Sequence, residues 1–336
     1  MRQASEVVAG VELADPALRA ALERGLEDVE ELLRREVQSE FRFLTETSLH
    51  LVDAGGKRFR PLFTLLAGQF GLEGGTGRVE DVVRAAAVVE LVHLATLYHD
   101  DVMDEATMRR GAVSANARWD NTVAILTGDF LFAHASRLVA DLGPDAVRII
   151  ARTFAELVTG QMRETLGPTE DADPVAHYLA VVSEKTGSLI ATAGRYGAMF
   201  SGAPQHQVDA LRRFGETIGI AFQISDDIID IASPSAQSGK TPGTDLREGV
   251  RTLPMLYALA EPGVDRLHEL LAGPLTDDAL IAEALCLLRG SRGLDRAEQD
   301  LRSYTDSARA ELAVLPDCPA RDALASVTDY VLARTS

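Results

Sequence analysis

The chain has little cysteine, few aromatics, almost no lysine and no long unbroken apolar run, and each shortage removes a class of answer. Cys286 and Cys318 are the only cysteines among 336 residues. They lack a Cys-x-x-Cys spacing, so neither a disulfide framework nor a structural zinc site is supported, and both read as buried packing residues. Aromatics are only 5% and no segment alternates apolar with polar residues, which argues against a sheet core. No run of about 18 or more uncharged apolar residues reads as a membrane span, and the start of the chain lacks the basic-then-apolar pattern of a secretory signal. A cytoplasmic protein with at most peripheral membrane contact is expected.

Positive charge is also short. Against 51 acidic residues stand 33 basic ones, for a formal net charge of −18. Proteins that bind nucleic acid neutralise phosphates with Lys and Arg, so no nucleic-acid partner is expected. An anionic ligand would need a local cluster of cations, or a bound metal that reverses the sign of the site. Of the 33 basic residues just three are lysine, at Lys57, Lys185 and Lys240. A chain that uses arginine nearly everywhere keeps a compact ammonium at three places, and all three fall in segments that look built for phosphate.

What is abundant is helical periodicity. Apolar residues recur at spacings of three and four from 15 to 51, and Ala-, Leu- and Val-rich stretches follow at 81–104, 119–141, 144–166, 175–200 and 207–231, with more beyond 251. Breakers separate them at 71–77, 143–144, 167–174, 202–204 and 233–243, none long enough to be an interdomain linker. The fold class expected is all-α, as a single large helical domain over 1–336 around a central active-site cavity, with its motif-bearing core at about 40–260.

Two acid clusters carry the chemistry. Asp100, Asp101 and Asp104 stand at i, i+1 and i+4, and Asp226, Asp227 and Asp230 repeat the spacing. At about 100° per residue each trio shares one arc of a helix. Either alone could be a solvated face. Both, however, sit in apolar surroundings, at 91–98 and 218–224, where ionised carboxylates need a hard divalent cation to relieve their repulsion. His93 and Thr96 lie on the same face as the first cluster, one to two turns earlier.

Cationic segments accompany the acids. Gly55-Gly56-Lys57-Arg58-Phe59-Arg60-Pro61 joins a flexible turn, three cations and a proline suited to a helix start. It does not match the nucleotide P-loop pattern. Arg109-Arg110-Gly111 follows the first acid cluster, Lys185-Thr186-Gly187 interrupts a helical stretch, and Gly239-Lys240 lies in the loop after the second cluster.

Together these segments, with Gly128-Asp129-Phe130, Phe222-Gln223 and Asp245-Leu246-Arg247-Glu248-Gly249, resemble the trans-isoprenyl diphosphate (polyprenyl) synthase family over roughly 40–260, in the same order. The resemblance implies a homodimeric prenyltransferase that joins isopentenyl diphosphate head-to-tail to an allylic diphosphate, with Mg²⁺ as cofactor, about three ions per site. It implies that Asp100, Asp104 and Asp226 ligate metal, with Asp101, Asp227 and Asp230 completing or orienting that shell. Arg109, Lys185, Thr186, Gln223 and Lys240 would hold the allylic diphosphate, Lys185 counting also among the catalytic groups. Lys57, Arg60, His93 and Arg110 would hold isopentenyl diphosphate, and Arg58 belongs to the same phosphate-binding segment. Ala112 and Val250 stand where many relatives carry basic residues.

Product length is expected to follow from what blocks the growing chain beneath the first motif. Ala95 and Thr96 are small where short-chain relatives often carry large aromatics, and Phe130 and Phe132 are candidates for a deeper floor. The resemblance then implies a medium-to-long product, on the order of six to ten isoprene units, with a short-chain farnesyl or geranylgeranyl product as the alternative. Terpene cyclases lack the Gly-Gly-Lys-x-x-Arg-Pro segment. An HD-type phosphohydrolase would need more histidine ligands, and a non-catalytic partner subunit should have lost acids from one cluster.

Overall fold

A computed structural model describes residues 7–8, 11–72, 77–232 and 242–335. The expected Gly239-Lys240 segment lies outside the described residues. Apart from two antiparallel ladders of two residues per strand, Val7–Val8 with Val11–Glu12 and Met108–Arg109 with Ala112–Val113, the described regular structure is helical. The helices are α1 (Pro16–Glu36), α2 (Arg42–Asp53), α3 (Phe59–Leu72), α4 (Val79–Met103), α5 (Ala115–Arg118), α6 (Asn121–Ala140), α7 (Pro144–Leu166), α8 (Pro174–Val182), α9 (Ser188–Ser201) and α10 (Gln205–Ala232). After them come α11 (Thr244–Glu248), α12 (Leu253–Leu259), α13 (Asp265–Leu270), α14 (Asp278–Gly290), α15 (Gly293–Glu311) and α16 (Pro319–Ala333). The chain divides into two compact units.

The first unit comprises residues 1–155, 189–215 and 312–326, and α4 is its centre. Between Val82 and Ala95 this helix is apolar nearly all round, so it is stable only if covered on every face. Helices α1, α3 and α6 supply that cover. Helix α1 is amphipathic, burying Leu18, Leu22, Val29, Leu32 and Leu33, and begins at Asp15, whose side chain accepts from Leu18 N at 2.6 Å ahead of Pro16. Tyr98, fully buried on α4, donates to Thr47 O at 2.5 Å and accepts from Leu51 N at 3.2 Å, tying α2 to the end of α4.

The second unit comprises residues 156–188, 216–311 and 327–336. Its core gathers Ile231 with Leu246, Met255, Leu267, Leu271, Ile281, Leu285 and Leu288. Between α8 and α9 the backbone widens into a π turn over Ser183–Gly187, the segment in which Gly and Thr imply a kink. Among the described residues two helices, α4 and α6, are long and apolar enough to cross a membrane by length and composition. The apolar window of α4 is 72% buried, that of α6 39%. Both thiols depart from expectation: Cys286 is exposed and Cys318 half-exposed, because both fall on the solvent side of their segments.

Candidate active site

Both acid clusters sit within the last two turns of their helices or just beyond, at the end of α4 and of α10, and neither last turn holds a basic residue. The carbonyl end of a helix carries partial negative charge, so each carboxylate there costs about 0.3–1 kcal/mol unless a cation compensates. Such a placement is unfavourable for folding and favourable for a cation site.

The three acids of the first unit are differently placed. Asp101 is fully buried; Arg109 Nε donates to its Oδ1 at 2.5 Å, while its Oδ2 is buried without a hydrogen-bond partner. Asp104 caps the helix, exposed, with Arg109 Nη2 3.7 Å from its Oδ2, and Asp100 is half-buried. Arg109, expected to grip a diphosphate, is thus spent largely on the first motif. Gly128 on α6 earns its place beside this motif, since a Cβ there would lie 2.4 Å from His99 Nε2. That nitrogen is 3.3 Å from Asp129 Oδ1.

Two to three turns back along α4 is a cationic cradle. Arg58 and Arg110 both adopt left-handed backbone, at φ 49° and 52°. Arg58 Nη1 donates to Glu90 Oε1 at 2.8 Å and to Gly55 O at 3.1 Å, its Nη2 to Val52 O at 2.8 Å, and its Nε to Glu30. Arg110 Nη2 lies 3.5 Å from the same Glu90 oxygen, and its Nη1 donates to Gly55 O and, at 3.3 Å, to Leu51 O. A side chain on Gly56 would strike the Arg110 guanidinium at 2.9 Å, so glycine is required at that close approach. Arg58 therefore departs from the expected ligand role: every nitrogen of its fork is committed to protein acceptors. Arg60 keeps a buried Nε without a partner, and Lys57 is exposed.

Electrostatics follow from this crowding. Burial pulls Arg60 down to about 10, with Glu90 opposing and Arg110 adding to the fall. His93 is held well below the ordinary imidazole range by burial and by Arg60, Arg110, Arg58 and Arg109. It is a neutral imidazole among guanidiniums.

In the second unit Asp227 is buried, accepting from Tyr178 Oη at 2.5 Å and from Gln223 Nε2 at 2.9 Å. Burial pushes its carboxyl up to about 7, with those two hydrogen bonds opposing and Asp226 and Asp230 reinforcing the rise. Asp230 accepts from Thr244 N at 3.1 Å and Asp245 N at 3.2 Å, fixing the start of α11. Asp226 is paired with Arg334 near the end of α16, whose guanidinium also lies over the Phe222 ring, 4.5 Å from its centroid. All three acids of the second motif therefore have protein partners, whereas Asp101 of the first keeps one carboxylate oxygen without one.

The π turn presents Lys185 and Thr186. Lys185 Nζ pairs with Glu164 on α7, Arg163 Nε lies 2.9 Å from Glu184 Oε2, and Thr186 makes a long contact of 3.5 Å with Gln223 Oε1. Within this unit Lys185, Thr186, Gln223 and Asp227 line a cavity of about 860 Å³ together with the apolar Val181, Leu256, Leu259 and Leu271. Below the first motif, Ala95 is fully buried, whereas Thr96 is half-buried with its hydroxyl on His93 O at 2.8 Å. Phe132 stacks on Phe154, centroids 4.1 Å apart, and Phe130 packs against His134 with the two rings tilted by 56°.

Among the described residues no three acidic, histidine or cysteine side chains form a preformed metal cage. Magnesium takes one or two carboxylates, completing its shell with substrate phosphate and water. The oxygen-only donor set and the orphaned Asp101 Oδ2 fit a cation of that kind.

Sequence reasoning missed Glu90, Glu164, Tyr178 and Arg334. Glu90 had a signal, as the lone acid in the apolar run of α4. Tyr178, seven residues before Lys185, shares its helical face; Arg334 had no signal at all.

An all-α fold with acid clusters near the ends of two helices, and an arginine cradle behind the first of them, defines a transferase that handles diphosphates. The polyprenyl synthetase family model matches residues 41–288, and the chain belongs to that family of prenyltransferases. It is 59% identical to a nonaprenyl diphosphate synthase of Mycobacterium tuberculosis, over 99% of both chains. A geranylgeranyl pyrophosphate synthase from Corynebacterium glutamicum, solved with calcium and isoprenyl diphosphate, superposes at TM-score 0.86 with 52% identity, covering 97% of this chain and 99% of that one. A decaprenyl diphosphate synthase from Rhodobacter capsulatus gives TM-score 0.86 at 37% identity, over 95% and 99%.

Proposed function

We propose that the chain condenses isopentenyl diphosphate head-to-tail with an allylic diphosphate, using Mg²⁺, to make a medium-to-long trans-polyprenyl diphosphate. The observation that carries the reading is the arrangement along α4: a carboxylate end at Asp100 and Asp104, and behind it a half-buried cradle of Arg60, His93 and Arg110. Few functions other than binding a diphosphate beside a cation need both.

Asp100, Asp104 and Asp226 would hold the metal, which supplies charge neutralisation for the departing diphosphate. Lys185, Thr186 and Gln223 would steady the allylic diphosphate, Lys240 joining them from outside the described residues. Lys57, Arg60, His93 and Arg110 would fix the second diphosphate, aiming its double bond at the developing allylic cation. No side-chain nucleophile is required.

The length proposal draws on the nonaprenyl and decaprenyl relatives and on the small Thr96 beneath the motif. The geranylgeranyl relative favours the shorter alternative. A homodimer is supported by α6, an apolar helix that leaves Leu126 58% and Ile125 42% exposed. We place the enzyme in the cytoplasm. Incubation with labelled isopentenyl diphosphate, Mg²⁺ and farnesyl or geranylgeranyl diphosphate should yield elongated products whose lengths chromatography reads. A folded, metal-loaded chain that elongates neither primer would refute the assignment.

A further inference from the structure

We propose that Glu90 is a positioning residue for the isopentenyl diphosphate cradle, its buried carboxylate holding Arg110 and the Gly55–Arg58 turn in the geometry that receives the diphosphate. The inference rests on the assignment of that cradle to isopentenyl diphosphate.

Glu90 is 1% exposed, the one carboxylate inside the apolar stretch of α4. A buried charge with no purpose would be costly, and this one is matched by two guanidiniums that converge on a single oxygen, Arg58 at 2.8 Å and Arg110 at 3.5 Å. Both arginines also reach the carbonyl of Gly55. The two come from different loops, each strained into left-handed backbone at the arginine itself. Such conformations persist only where surrounding contacts over-determine them. Glu90 and Gly55 O are the contacts the two loops share, so the carboxylate fixes one loop against the other.

Glu30 provides the internal comparison. It also pairs with Arg58, but no contact joins it to Arg110 among the described residues. If Glu90 served only to neutralise Arg58, Glu30 would serve as well. The cradle's remaining groups depend on the fixed geometry: Arg60 has its Nε buried without a partner, and His93 stays neutral among the arginines.

Positioning and charge make opposite predictions. Removing a negative charge from a cationic cradle should by Coulomb attraction alone tighten an anion. Removing a clamp should loosen it. For Glu90→Gln in the full chain, KM for isopentenyl diphosphate should rise about tenfold or more, with KM for farnesyl diphosphate within about twofold of the parent, because the allylic groups are elsewhere. Calorimetric titration with isopentenyl diphosphate in the absence of metal should show the same loss. Glu30→Gln should leave both constants near parental values, and Glu90→Asp should restore part of the affinity. An unchanged or lowered KM in folded Glu90→Gln overturns the proposal, as does an equal rise for both substrates. Should Glu90→Gln not fold, Arg58→Gln breaks the other half of the clamp, and an isopentenyl diphosphate KM less than about threefold above parental would overturn it equally. A parental enzyme that binds no isopentenyl diphosphate would instead refute the functional assignment itself.

Discussion

Tyr178 on α8 and Asp227 on α10 share a 2.5 Å hydrogen bond, the hydroxyl donating to the carboxyl in the interior of the second unit. The pair keeps the middle acid of the second motif turned inward. Tyr178→Phe would leave that oxygen unpaired, so a loss of about 1–3 kcal/mol in stability is expected. Urea unfolding should show it as a lower midpoint at constant slope; an unmoved midpoint would show that the bond holds nothing.

The π turn that presents Lys185 depends on Gly160 of α7. A Cβ there would fall 2.8 Å from Lys185 N and 2.9 Å from Glu184 Cβ, closer than real contacts allow. Gly160→Ala should displace the turn, raising KM for the allylic diphosphate about tenfold while that for isopentenyl diphosphate moves little. Equal effects on both substrates would point to general damage.

Arg334 holds the carboxylate of Asp226. A divalent cation at that carboxylate competes with the guanidinium, so Arg334→Ala should bind Mn²⁺ several-fold more tightly, as read by electron paramagnetic resonance titration. Weaker binding would mean that Arg334 orients the ligand instead of opposing the metal.

His93 ties stability to pH. Its folded value lies below the unfolded one of about 6.5, so the unfolded chain binds more protons in that window and stability falls as pH drops below about 6.5. In His93→Gln the acid-side decline, followed by thermal unfolding between about pH 6.5 and 5, should be shallower. A curve as steep as the parent's would reject the neutral imidazole.

Beneath the first motif, Ala95 and Thr96 should behave differently. Ala95 has no exposed surface, so Ala95→Phe overpacks α4 and should cost about 1–3 kcal/mol. Half-buried Thr96 can accept a larger group, and Thr96→Phe should shorten the longest product made from farnesyl diphosphate. Unshortened product from a folded Thr96→Phe would remove the residue from the length mechanism.

Helices and acid motifs were legible because they are local. Periodicity placed a helix at 144–166, which the structure gives as Pro144–Leu166, and it placed another at 207–231 against Gln205–Ala232. The i, i+1, i+4 spacing of the acids needs only helical geometry to bring them onto one face. Partnerships between segments far apart in the chain were not legible. Arg58 and Arg110 looked alike as diphosphate ligands, and only packing showed that Arg58 is consumed by Glu30, Glu90 and two backbone carbonyls.

By spacing alone the six aspartates were alike, yet Asp227 faces Tyr178, Asp230 holds the start of α11 and Asp226 meets Arg334. The sequence by itself determined the helical class, the reaction family and the residue types of the site, since these depend on periodicity and on short-range spacing. Tertiary structure alone decided which charges are satisfied inside the protein and which remain for a ligand. That depends on burial and on partners brought together from different elements, and no local pattern encodes either.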